Sequence, residues 1–126
     1  MNEMNKFKPF IGGTVTTSAP GYSEPISFDL IKPNGFGSIH FKCAGSGTAT
    51  ISIEVSNDDN PADTSDSTTL GWTVPLTGSQ VATGISAGTY FYTAKEFVFP
   101  PCKWIRFKVE ATTNSITDVI LKPVIQ

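Results

Sequence analysis

The segment "CKWIRFKVEA" (102–111) alternates apolar and polar side chains without a break. Ile105, Phe107, Val109 and Ala111 form one set; Trp104, Arg106, Lys108 and Glu110 form the other. A period of two is the signature of a strand with one face on a core and the other facing water or a partner. The rhythm recurs along the chain. "PISFDLI" (25–31) sets Ile26, Phe28 and Leu30 against Ser27 and Asp29. "FGSIHFKC" (36–43) sets Ile39, Phe41 and Cys43 against His40 and Lys42. "TATISIEVS" (48–56) sets Ala49, Ile51, Ile53 and Val55 against Thr48, Thr50, Ser52 and Glu54. The turn "KPNGF" (32–36) carries Asn34-Gly35, a strong hairpin signal, and "AGSG" (44–47) supplies the next turn. These three strands are expected to form an antiparallel meander. "GTVTTS" (13–18), "LGWTVPL" (70–76), "SQVATG" (79–84), "TYFYTA" (89–94), "KEFVFP" (95–100) and "SITDVILKPVIQ" (115–126) complete the set of expected strands. In "KEFVFP" the phase places Phe97 and Phe99 opposite Val98, and Pro100-Pro101 forces a break or an edge position.

No stretch carries a sustained 3.6-residue apolar stripe, so helices are not predicted. About eight short strands separated by turns point to an all-β fold, an antiparallel β-sandwich of jelly-roll type. The chain has 126 residues, enough for a single domain that buries roughly two-thirds of its unfolded surface. Residues 1–12 show no period and are read as an N-terminal arm, with Phe7 and Phe10 available to dock on a neighbouring subunit; 13–126 is the sandwich.

Composition narrows the function classes. Net charge is −2 and charged residues are 16%. No basic excess exists to track a phosphate backbone, so nucleic acid is not an expected partner. No run of apolar residues approaches a membrane span, and the N-terminal residues contain no signal-peptide h-region. No membrane association is expected. Cys43 and Cys102 are far apart in the chain and pair only if the strands bring them together; otherwise they behave as small hydrophobes.

No convergent chemistry is visible. His40, the lone histidine, stands on the polar face of its strand, and no nucleophile elbow accompanies it. Glu54, Glu96 and Glu110 suggest no cleft that would raise one carboxyl's pKa for glycosidase work. The loop "NDDNPADTSDSTT" (57–69) carries Asp58, Asp59, Asp63 and Asp66. Counted from Asp58, however, the glycine and glutamate positions of an EF-hand hold Asp63 and Thr69. The loop is read as an exposed projection, with an irregular calcium site left open. No cofactor and no catalytic residues are expected, and the protein is read as a non-enzyme.

Exposed aromatics remain: Trp104, Trp72, Tyr22, Tyr90 and Tyr92. Trp104 and Arg106 share one face, and such pairs anchor protein interfaces. The same rings suit stacking against sugars, and a Trp covered by a neighbouring loop is the third reading. The interface or ligand candidates are therefore Phe7, Phe10, Trp72, Tyr92, Trp104 and Arg106.

Two resemblances bear on function. "ISIEVSNDD" (51–59), then Trp72, then "FVFPPCKWIRFKVEA" (97–111) resembles the central part of discoidin-like sandwich modules, with Lys103-Trp104-Ile105-Arg106-Phe107 at that family's "R-Y-V-R-[IL]" stretch. The unsignalled, Thr/Ser/Gly-rich chain ending in "KWIRFKVEATTNSITDVILKPVIQ" is also similar to small accessory proteins of tailed bacteriophages. That likeness implies a virion location and a structural role as head decoration, head–tail adaptor or tail component; a capsid decoration protein, in contact with major capsid or tail proteins and as a homo-oligomer, is the expected reading. The alternative is a carbohydrate-binding module contacting a host-surface glycan through Trp104, Trp72 and Tyr92.

Overall fold

The opening alternation is realised residue by residue. In the computed structural model, which describes residues 10–11, 14–28, 34–61, 70–75, 80–86 and 90–125, β9 is Trp104–Ala111. Its Ile105, Phe107, Val109 and Ala111 are buried, whereas Trp104, Arg106, Lys108 and Glu110 are partly exposed.

Among the described residues the strands, in chain order, are β1 (Phe10–Ile11), β2 (Thr14–Val15), β3 (Gly21–Tyr22), β4 (Ile26–Ser27), β5 (Phe36–Gly45), β6 (Thr48–Ser56), β7 (Gln80–Ser86), β8 (Tyr90–Val98), β9 and β10 (Ile116–Ile125). They form two antiparallel sheets. The first has the order β1-β10-β5-β8, with β2 also on β10; the second has β3-β9-β6-β7, with β4 also on β9. Taking β1 with β2 and β3 with β4 as single interrupted strands, the order is that of a jelly roll. The all-β sandwich expected from periodicity is what the chain adopts.

Some local expectations need correcting. The three strands 25–31, 36–43 and 48–56 do not form a meander. β4 pairs with β9, β5 pairs with β10 and β8, and β6 pairs with β9 and β7. β5 and β6 therefore belong to opposite sheets. An inward apolar set is satisfied equally by a strand beside it or by a strand facing it across the core, so period two does not distinguish the two cases. The turn between β5 and β6 makes the crossing. Gly45 has a φ of 105° there, and a Cβ on Gly47 would lie 2.6 Å from the Asn114 carbonyl oxygen. Only glycine permits so close a backbone approach.

The segments 89–94 and 95–100, expected as two strands, supply one, β8. The 70–76 segment contributes only a bridge from Thr73 to Val55. β10 contains a bulge between Thr117 and Ile120, with Asp118 at φ 50°. The irregularity resets the phase, so that Ile116, Val119, Leu121 and Ile125 are all buried despite their uneven spacing.

The core lies between the sheets. Phe41, Ile39, Ile116 and Leu121 of the first sheet and Phe107, Ile51, Ile53 and Ile105 of the second are almost completely buried. Toward one end the phenylalanines pack ring on ring. Phe28 stacks on Phe99 at 5.7 Å, and Phe97 meets Phe107 edge to face at 5.5 Å. Both are favoured arrangements of the ring quadrupoles.

Truncating Phe107 to Ala is expected to lower unfolding free energy by about 3–5 kcal/mol, and Gly47→Ala by about 1–3 kcal/mol through backbone displacement. Urea denaturation followed by tryptophan fluorescence measures both.

Candidate functional site

The outer face of the second sheet is built from β6 and β9 in strict register. Ser56 lies opposite Trp104, Glu54 opposite Arg106, Ser52 opposite Lys108 and Thr50 opposite Glu110. Directly opposed side chains on one face of a sheet interact. Here they place a carboxylate against a guanidinium. Arg106 Nε donates to Glu54 Oε1 at 2.7 Å, and Nη2 contacts the same oxygen. The pair is largely sunk, with side-chain exposures of 21% for Arg106 and 11% for Glu54. Glu54 is therefore not the freely solvated carboxylate that its outward phase suggests.

Two rings enclose the guanidinium. The Tyr22 ring centroid lies 4.0 Å from Arg106 Cζ and the Trp72 centroid 4.5 Å from it. Tyr22 arrives on β3, whose register places it beside Lys108. Trp72 arrives on a segment with little regular structure, held by its ends. The Asp58 carboxylate accepts the Leu70 N–H at 2.9 Å and also the Gly71 N–H. Thr73 exchanges backbone hydrogen bonds of 2.8 and 2.9 Å with Val55. The acidic loop is thus clasped at its base by its own first aspartate. A cation between two π faces is attracted to both, so the arrangement fixes Arg106 rigidly.

Trp104 shares this face but plays another part. Its indole Nε1–H donates to the Asp58 carbonyl at 3.0 Å, and Ser56 Oγ accepts the Asp58 N–H at 3.1 Å. Trp104 therefore anchors the start of the loop. Asp59 pairs with Lys103 at 2.9 Å in full solvent, and that lysine's hydrogen bond and charge hold the Asp59 carboxyl below its usual pKa. Asp63 and Asp66 lie outside the described residues, and among those described no three His, Cys, Asp or Glu side chains converge as metal ligands.

Of the sequence candidates, the structure brings Trp72 and Arg106 into contact and sets Trp104 one outward position along β9. Phe7 lies outside the described residues. Phe10 pairs through its backbone with Leu121 and Tyr92 lies in β8, but the side chains of both are outside the described set. His40 is exposed on the first sheet, opposite Lys122.

A second surface was not among the sequence candidates. Phe36 and Val98 are opposed on β5 and β8 and are 47% and 63% exposed. A groove of about 590 Å³ runs between the sheet edges here, lined by Val55, Val74, Val98, Phe99, Pro100 and Pro101 among others. Val74, 56% exposed, lines the same groove as Val98. The signal was present in the phase of "KEFVFP": Val98 must point away from the core if Phe97 and Phe99 point into it. Its pairing with Phe36 depends on tertiary register.

Both cysteines are free thiols, Cys43 buried and Cys102 half-buried. No known protein family matches the chain, and no curated protein or solved structure is significantly similar to it. The class that the fold defines is a jelly-roll β-sandwich.

Removing Arg106 leaves a nearly buried carboxylate without its counter-charge. Arg106→Ala is expected to cost about 2–4 kcal/mol, and the double replacement Glu54→Leu/Arg106→Met to recover most of it; denaturant titration of the three variants checks this. Burial pushes the Cys102 thiol from 9.0 up to about 11, outweighing the Trp104 backbone hydrogen bond, and also raises the Cys43 thiol. The folded state therefore binds these protons more tightly than the unfolded state. Their contribution to stability is complete below about pH 9 and declines as pH rises through 9 toward 11. Titration with a thiol-reactive disulfide at pH 8 is expected to label the native chain far more slowly than the urea-unfolded chain.

Proposed function

We propose that this protein is a non-enzymatic structural component of a tailed-bacteriophage particle, a decoration protein that acts by covering surface on neighbouring virion subunits. The observation that carries this reading is the apolar end of the sandwich. Val74 and Val98 present apolar side chains to solvent along one groove, and Phe36, exposed as well, stands opposite Val98 across the strand pair; exposed apolar surface of this kind marks contact sites. A stable interface needs about 800 Å² from each partner, and one end of a sandwich together with an adjoining sheet face is of that order.

The second sheet's outer face supports the same division of roles. Its cations are matched to acids: Arg106 to Glu54, Lys103 to Asp59 and Lys108 to Glu110. That face suits exposure on a particle, and the apolar end suits attachment. The likeness of the chain to phage accessory proteins, through its closing strand pair 103–126 above all, is what suggests a virion as the assembly.

Mass spectrometry of purified particles from cells carrying the gene is expected to find the chain in a fixed ratio to the major capsid or tail protein. A Phe36→Ser/Val98→Ser chain is expected to fold, as judged by an unchanged far-ultraviolet spectrum, yet sediment free of particles. Absence of the chain from particles, or equal retention of the double variant, overturns the proposal.

A further inference from the structure

The two outer faces of the sandwich treat their cations differently. On the second sheet Glu54 stands opposite Arg106. On the first sheet the position opposite Lys122 is taken by His40, the only histidine of the chain. Neither of these two side chains has an ion-pair or hydrogen-bond partner among the described residues. Lys42 takes the next outward position on β5, opposite Ile120, and the four side chains line a hollow of about 140 Å³. A single exposed lysine is ordinary; its setting here is not. In the next row toward the apolar end, Ser38 lies between Val124 and Glu96, and in the row after that Phe36 faces Val98. Phe36, Val98 and Val124 are all exposed. Rows on one face of a sheet repeat about every 7 Å, so His40 and Lys122 lie within about 14 Å of the apolar rows on one continuous surface.

We infer that this face is the surface by which the protein docks, and that it meets a protein surface with an apolar centre and carboxylates placed to reach Lys122 and His40. The inference rests on the virion reading and states the chemistry of the subunit that receives the chain. Protein interfaces bury an apolar centre inside a polar rim. Phe36, Val98 and Val124 form the centre here, and His40 and Lys122 stand on the rim. Charges at a rim speed the encounter and fix its orientation more than they hold the complex together. The second sheet's face is not suited to the same role, because its cations are answered by its own acids. Composition selects protein over nucleic acid. A phosphate backbone is held by a run of cations. This face interrupts its cations with Ile120 and carries Glu96 in the adjoining row, on a chain of net charge −2.

The test immobilises particles purified from cells in which the gene is deleted and measures how fast the purified full chain associates with them. Sodium chloride is raised from about 0.1 M to about 1 M, over which the screening length falls from about 10 Å to about 3 Å. The association rate of the unmodified chain is expected to fall several-fold. Lys122→Glu is expected to slow association at low salt roughly tenfold and to remove most of the salt dependence. Lys108→Glu, the same change of charge on the second sheet, is expected to leave the rate nearly unchanged. Far-ultraviolet spectra check the folding of both variants, and the salt dependence of the unmodified chain decides the matter even if Lys122→Glu fails to fold. A rate independent of salt, or equal effects of the two charge reversals, overturns the inference and leaves the virion reading in place. No binding of the unmodified chain overturns both. Binding that is lost when the particles are treated with nuclease assigns the face to nucleic acid and overturns the inference as well.

Discussion

The face-to-face burial of two alternating apolar surfaces is the constraint on which the other features depend. Ile105, Phe107 and Val109 from β9 and Ile51 and Ile53 from β6 meet Ile39, Phe41, Leu121 and Ile125 from β5 and β10. Each such side chain contributes about 1.5–3 kcal/mol when buried. A slip of one residue in any of these strands would turn its apolar set to solvent, so the register is strongly specified. The outer faces inherit that specification. Glu54 stands opposite Arg106 because Ile53 and Phe107 must both point inward one position along.

The two ends of this arrangement have different characters. On the second sheet, polar chemistry is turned on itself. Arg106 is enclosed by Glu54, Tyr22 and Trp72, and Asp58 gathers Leu70, Gly71, Ser56 and Trp104 into a clasp. The clasp supports the site, because it positions the segment that delivers Trp72. At the Phe36 and Val98 end apolar groups are left uncovered, and the prolines at 75, 100 and 101 supply no backbone donors to pair with. A rigid polar face and an adhesive apolar end on one small sandwich are compatible with a protein that is attached at one place and meets its surroundings at another.

How much of this was legible varies with how local its cause is. The phases of 36–43, 48–56 and 102–111 are legible because side-chain alternation is a property of the strand alone. The phase change in β10 is not, because the bulge at Asp118 belongs to the pairing with β5. Strand pairing over 25–56 is not legible either, because Gly45 and Gly47 turn the chain across the core rather than back beside itself. Trp72 and Arg106 were recognisable as chemically notable residues. Tyr22 and Glu54 gained their meaning only from being brought to them, across 84 positions in the first case and 52 in the second.

The sequence by itself determined that the protein is a sandwich of strands with a defined inner set, since hydrophobic burial acts on a two-residue rhythm that any reader of the chain can count. Tertiary structure alone decided which strands became neighbours and so which outward residues met. Sheet partners are selected by long-range fit between faces and edges, and that fit is not encoded in the spacing of residues along a single strand.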